Sequence, residues 1–317
     1  MRQNRKARSD PPRVSVLNSA YWCGSYLNFF GNVLPIVYAN STLMYIKFYY
    51  VYKEIIVSNT MTSWVLVLLA NEPYIERAKK TITECRFIGD WQDDIVLMVP
   101  RSLISNSGLV RFASERNVQL FELPAHNCDA IINVWMKNKG NRNYDYMMSR
   151  TFIFMKFYIF DVFFKKWDVV FAMDAGMHVF NRLHIFKEVC QPDNIIYAHS
   201  DAYPTYVWRL RGQFSFEMLD TSSQLSLSKY SLDIDYFQSG VLIYDTRIIE
   251  AKTVDGLFRL AEQFPSARGD QAILNLYFNC ERGLWRQIPL RNEDGFLYDS
   301  KQRAHFMKTD YRLLKWI

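Results

Sequence analysis

Asp174 closes an apolar run, Val169-Val-Phe-Ala-Met-Asp174, and Ala175, Gly176, Met177 and His178 follow it. An acid delivered by a buried strand into a small-residue turn can hold a divalent cation against a diphosphate, and small neighbours let phosphate approach the backbone. The same acid can instead cap the turn. His178 shares strand parity with Asp174 and Gly176. An extended chain therefore turns it to the same side as a further metal ligand, and the alternative is packing beneath the sheet. Two later segments carry polar groups to the ends of elements. Gln238-Ser239-Gly240 is a polar turn at the mouth of the apolar run Val241–Asp245, and Gly269-Asp270-Gln271 opens a helix with an acid and an amide. Asp270 also suits a plain helix cap. His199 and Asp201 leave the apolar stretch 195–198, where they either bind substrate hydroxyls or form a polar turn closed by Pro204.

The elements that must position these residues are legible as short apolar runs. Residues 64–70, 94–100 and 118–123 read as buried strands, separated by helical spacing over 74–85, opened by Pro73, and over 109–116. An aromatic helix is predicted over 149–166, then strands at 169–174, 195–198, 240–245 and 285–288, with a helical region over 248–264. Strands alternating with helices predict an α/β domain on a Rossmann-like, mostly parallel central sheet with flanking helices, binding its ligand beyond the carboxyl ends of the strands.

Composition narrows the function class. Of the net charge of +6, four units come from the first 13 residues, where five basic side chains face Asp10. The rest is too weakly basic for a polynucleotide groove, so no nucleic-acid partner is expected, while a small anionic substrate suits it. The 5 cysteines are scattered without ligand spacing, which speaks against structural zinc. Residues 1–58 read as a basic and apolar extension. Residues 14–46 carry no charged side chain, and the basic flank before them is the order of a signal anchor. Asn28, Asn32, Asn40, Gly31 and Pro35 favour the other reading, a peripheral extension. The first reading implies membrane association and a type II secretory-pathway protein with Asn40-Ser41-Thr42 as a glycosylation sequon; the second is compatible with the cytoplasm.

Taken in order, the three segments resemble the GT-A glycosyltransferases, particularly glycosyltransferase family 8, the glycogenin-like and bacterial galactosyltransferase group. That family's DxD strand is similar to Met173-Asp174-Ala175-Gly176, its FNAGV turn to Phe237-Gln238-Ser239-Gly240-Val241, and its DQD segment to Asp270-Gln271-Ala-Ile-Leu-Asn275. The resemblance spans roughly residues 62–290 and implies one large domain, 59–317, with a nucleotide-binding half at 62–181 and an acceptor half at 182–317. It implies hexosyl or pentosyl transfer from a nucleotide-diphosphate sugar, most simply a UDP-sugar, to a hydroxyl of a glycan, protein or lipid-linked acceptor, with retention of configuration. Ala70, Asn71 and Tyr74 would line the base. Arg150 and Lys156 would lie on the nucleotide side, and Asp174 and Gly176 at the diphosphate. Gln238, Ser239, Gly240 and Gln271 would face the sugar, and Asp270 would be the catalytic carboxylate, with His199 and Asp201 toward the acceptor. Mn²⁺ or Mg²⁺ is the implied cofactor, on Asp174 and His178. Two departures bear on it. Gly176 stands where the family has its second Asp, and the family's carboxyl-terminal His motif has His305 as its nearest counterpart. A GT-A-like domain that binds nucleotide or glycan without catalysis is the alternative function. A dinucleotide-dependent oxidoreductase is excluded because Ala70-Asn71-Glu72-Pro73 offers no glycine-rich turn, and a sugar-phosphate nucleotidyltransferase is excluded for the same reason.

Overall fold

The chain divides into two units, residues 1–61 and 62–317. The computed structural model describes residues 62–133, 150–200, 209–264, 266, 269–290, 298–299, 304–305 and 314–316. The expected anchor or extension at 14–46, the Asn40 sequon and Asp201 lie outside these residues. Among the described residues no helix is long and apolar enough to cross a membrane.

Seven strands form the central sheet: β1 (Trp64–Leu69), β2 (Asp94–Val99), β3 (Val118–Glu122), β4 (Val169–Met173), β6 (Ile196–Ala198), β7 (Val241–Asp245) and β8 (Trp285–Gln287). Their spatial order is β3-β2-β1-β4-β7-β6-β8. The strand readings therefore hold to within a residue or two at each end. Neighbouring pairs are parallel except those made by β7, which runs against both β4 and β6. Side chains alternate across the sheet because a strand has a period of two. Val65, Val67, Val170 and Ala172 join one buried cluster, while Trp64, Leu66, Leu68, Val169 and Phe171 join another on the opposite face.

Helix α1 (Ile75–Phe87) and helix α2 (Ser107–Glu115), the latter capped by Asn106 Oδ1 accepting from Leu109 N at 3.0 Å, follow β1 and β2 as expected. The aromatic stretch departs from expectation. Instead of one helix over 149–166 it forms two 3-10 segments, Phe152–Phe160 and Val162–Lys166. Asp161, at φ −69° and ψ 148°, breaks the run, and its carboxylate accepts from Phe163 N at 2.8 Å to restart the turn. The region expected to be helical over 248–264 is helix α3 only from Thr253 to Gln263. A second, antiparallel sheet was not anticipated. It joins β5 (Met177–Val179) to β11 (Leu314–Trp316), β10 (Ala304–His305) and β9 (Tyr298–Asp299).

Phe171, at the centre of β4, is fully buried, its ring 5.7 Å from Trp91 and 4.9 Å from Phe186. Phe171→Ala is expected to lose about 3–5 kcal/mol of unfolding free energy, readable in urea denaturation. A loss below about 1 kcal/mol would mean that this face of the sheet is not packed as described.

Candidate active site

The reversal of β7 builds the site. A turn that precedes a parallel strand lies at the amino edge of a sheet, away from the carboxyl ends where α/β ligands bind. Because β7 is antiparallel, its entry turn lies beside the exit of β4. Met173 pairs with Val241, and Asp174 N donates to Gly240 O at 3.0 Å. Asp174 and Gln238-Ser239-Gly240 therefore share one edge with Ala70 and Asn71, which follow β1, the other neighbour of β4.

Lys156 comes down onto this edge from the segment Phe152–Phe160, whose Phe154, Phe157 and Phe160 are buried against the sheet. Asp270 enters from helix α4 (Asp270–Leu274). Gly269 before it has φ +64°, and a Cβ there would meet Ile153 side-chain carbons at 3.0 Å, so the close approach of this turn to the Lys156 segment requires glycine. The result is a buried ion triad. Lys156 Nζ is 2.5 Å from Asp174 Oδ1 and 3.3 Å from Asp270 Oδ2, and donates to Ser239 O at 3.3 Å. The side chains are 12%, 20% and 3% exposed, respectively, for Lys156, Asp174 and Asp270, so the charges interact with little screening.

Burial opposes the Lys156 ammonium, yet Asp174 and then Asp270 outweigh it and hold its pKa above the ordinary lysine value. Asp174 is pushed up by burial; Lys156 pulls it back, and Asp270 adds repulsion, so the net shift is upward. One ammonium between two carboxylates leaves an excess negative charge in a poorly solvated place. Asp270 Oδ2 makes no hydrogen bond, only the ion contact with Lys156, and Asn71 Oδ1 at the same edge is likewise buried without a hydrogen-bond partner.

The chain is similar in structure to solved glycosyltransferases. They include the WbbM bifunctional glycosyltransferase in its apo form (TM-score 0.47, 16% identity, covering 73% of this chain and 39% of that one). Others are the Streptococcus pneumoniae glycosyltransferase GlyE (TM-score 0.46, 16% identity, 72% and 45%) and the galactosyltransferase LgtC with donor and acceptor sugar analogues (TM-score 0.45, 14% identity, 72% and 73%). The chain thus spans less than half the length of the first two. No family model matches its sequence, and no curated protein does.

The structure places the other predicted residues as follows. Gln271 lies behind the site: its Oε1 accepts from Ser239 N at 3.2 Å and its Nε2 donates to Gln213 Oε1 at 3.1 Å. With Asn275, which exchanges two 2.8 Å hydrogen bonds with the Phe237 backbone, it pins the β7 entry turn. Gln238 folds back to accept from Gly240 N at 2.5 Å. Ala70 is buried, Tyr74 is half exposed, and Arg150 is exposed.

The extended geometry expected to carry His178 alongside Asp174 does not persist, because β4 ends at Met173 and Gly176 adopts φ +92°. His178 instead sits in β5 with its Nδ1 2.7 Å from Glu84 Oε1 on α1. Among the described residues no three His, Cys, Asp or Glu side chains come together as a metal site, and Asp174 turns Oδ1 to an ammonium. The described donor set therefore does not fit the expected divalent ion. The side chain of His305 lies outside what is described.

His199, considered for hydroxyl binding, is fully buried and has no open face. Its backbone carbonyl accepts from Gln238 N at 2.9 Å, which ties β6 to the site turn. Burial lowers its pKa from 6.5 to about 4. The unfolded chain thus takes up a proton near pH 6.5 that the folded chain refuses until about pH 4, so stability falls as pH falls through that window. The slope is at most about 1.4 kcal/mol per pH unit. His199→Asn is expected to flatten this part of the stability–pH curve; an unchanged slope would show that His199 is not buried neutral.

Sequence reading passed over Gln213 and Arg77. Gln213 ends a short 3-10 turn, Leu210–Gln213, that carries no sequence signal. Arg77 was visible only as one of several polar positions on an amphipathic helix. A cavity of about 390 Å³ lies at the opposite, amino edge, lined by Asp94, Ile95, Asn117, Gln119, Lys166 and Trp167.

Proposed function

We propose that the chain transfers a hexosyl or pentosyl group from a nucleotide-diphosphate sugar, with a UDP-sugar the first choice, to a hydroxyl of a glycan, protein or lipid-linked acceptor. The observation that carries this reading is Lys156 held between Asp174 and Asp270 at the carboxyl edge of the sheet. In the reaction the bond from the anomeric carbon to the diphosphate oxygen breaks, and its electron pair leaves with the diphosphate. A new bond forms from that carbon to the acceptor oxygen, whose proton passes to a base. The transition state has oxocarbenium character, so the protein must meet positive charge on the sugar and negative charge on the leaving group.

Asp270 suits the sugar side. Its carboxylate is buried, and Oδ2 has lone-pair capacity for an acceptor hydroxyl proton or for the sugar cation. Lys156 suits the leaving-group side and aligns Asp270 and Asp174. Asn71 Oδ1 is a free acceptor for a base N–H, beside Ala70 and Tyr74. Gln238, Ser239 and Gly240 border the place of the sugar. Retention of configuration follows from the family resemblance.

The test is release of nucleoside diphosphate by the full chain from UDP-glucose, UDP-galactose, UDP-N-acetylglucosamine, UDP-xylose and GDP-mannose, with oligosaccharide acceptors. Release from one donor above the rate of an Asp270→Asn control is the expected result. Donor binding without release would leave a nucleotide- or glycan-binding domain, and neither binding nor release would end the reading.

A further inference from the structure

Helix α1 presents one stripe to the turn after β4. Arg77, Thr81 and Glu84 recur at helical spacing of four and three. Glu84 binds His178 Nδ1 at 2.7 Å and accepts from Val179 N at 3.0 Å. Thr81 Oγ1 accepts from Gly176 N at 3.1 Å and donates to Met177 O at 2.9 Å. Arg77 completes the stripe over Gly176 itself: a Cβ on that glycine would lie 3.4 Å from Arg77 Cδ and 3.8 Å from Arg77 Cβ. The guanidinium continues past the turn to lie 5.4 Å over the Tyr74 ring. It is exposed, and no carboxylate among the described residues pairs with it.

The position where a second acid would serve a metal is therefore a glycine with φ +92°, a conformation side chains rarely adopt, lying under an arginine stem. A few residues away, the first acid already holds an ammonium. Two cations, Arg77 and Lys156, flank the Asp174-to-Gly176 turn, and their two charges match those of Asp174 and Asp270. Unlike Lys156, Arg77 pairs with no carboxylate among the described residues, and its planar fork suits bidentate binding of phosphate oxygens.

We propose that Arg77 is the diphosphate-binding residue of this site, and that Arg77 and Lys156 together take the place of a divalent metal, so that donor binding needs no metal ion. The inference rests on the glycosyl-transfer reading above. It places the diphosphate across the Asp174–Gly176 turn, between the base side at Asn71 and Tyr74 and the sugar side at Asp270.

The test is calorimetric titration of UDP, then GDP, into the metal-stripped full chain in EDTA and again in millimolar Mn²⁺, with Arg77→Met and Arg77→Lys beside the wild type. Arg77 is an exposed position, so both variants are expected to fold as the wild type does. The expected result is binding of one nucleotide with dissociation constants that agree within about twofold with and without Mn²⁺, weakened about tenfold or more in Arg77→Met and less in Arg77→Lys. Binding that appears only with Mn²⁺, or that is unchanged in Arg77→Met, would overturn the inference while leaving the transferase reading in place. Binding of neither nucleotide under either condition would remove both.

Discussion

Lys156→Met is expected to slow transfer severely and weaken the fold at once. Methionine reproduces much of the lysine stem but brings no charge, so Asp174 and Asp270 are left facing each other, both largely buried, with no cation between them. Removing one side of a buried ion pair costs about 3–5 kcal/mol. Asp174 should relieve part of this by taking up a proton, since burial already holds its pKa above the usual carboxylate range even with Lys156 present. Loss of a preorganised charge at the leaving group should lower kcat/KM by about 10²–10³-fold or more. Activity and urea denaturation, measured on the same preparation, check both halves. The double variant Lys156→Met with Asp270→Asn separates them: with one carboxylate gone the stability should largely return, while the activity should not. Wild-type stability and turnover in the single variant would show that the triad is not the site.

Asp270→Asn should also lose activity but without the loss of stability. The amide has nearly the shape of the carboxylate, and Lys156 keeps Asp174 and Ser239 O as partners. The edge then buries one charge fewer, so stability should hold or rise. Turnover should fall by about 10²–10⁴-fold, the usual worth of a positioned base, while the donor KM changes little because the base side at Asn71 and the cation at Lys156 are untouched. A gain in stability with a loss of rate is the mark of a group retained for chemistry at the cost of folding. A kcat within a few-fold of wild type would take Asp270 out of the catalytic role.

How far the fold and site could be read from the residues follows from what local pattern encodes. Strands β1, β2 and β4 are near-continuous apolar runs because both their faces are buried, and such runs announce themselves, whereas the edge strand β3 exposes Gln119 and Glu122. Asp174, Gln238-Ser239-Gly240 and Asp270 could be singled out because each polar residue interrupts an apolar run at an element end. Direction is another matter. Nothing in the apolar run of β7 says that it lies antiparallel, yet that reversal alone brings Ser239 and Gly240 to Asp174. The break at Asp161 was missed because an aromatic-rich, largely apolar run looks helical by content, whereas a side-chain bond to Phe163 N competes with the helix. The metal expectation for His178 rested on strand parity, which a positive φ at Gly176 cancels. Arg77 did not stand out from the other polar positions of its helix, because its place over Gly176 joins distant parts of the chain.

A crystal structure of the full chain with UDP bound would locate the nucleotide diphosphate, which we place at the edge formed by Asn71, Lys156, Asp174 and Asp270. The expected result is a diphosphate oxygen within hydrogen-bond reach of Lys156 and the uracil beside Asn71 and Tyr74. UDP found at another place, such as the cavity beside Trp167 at the amino edge of the sheet, with the Lys156 edge empty, would contradict it.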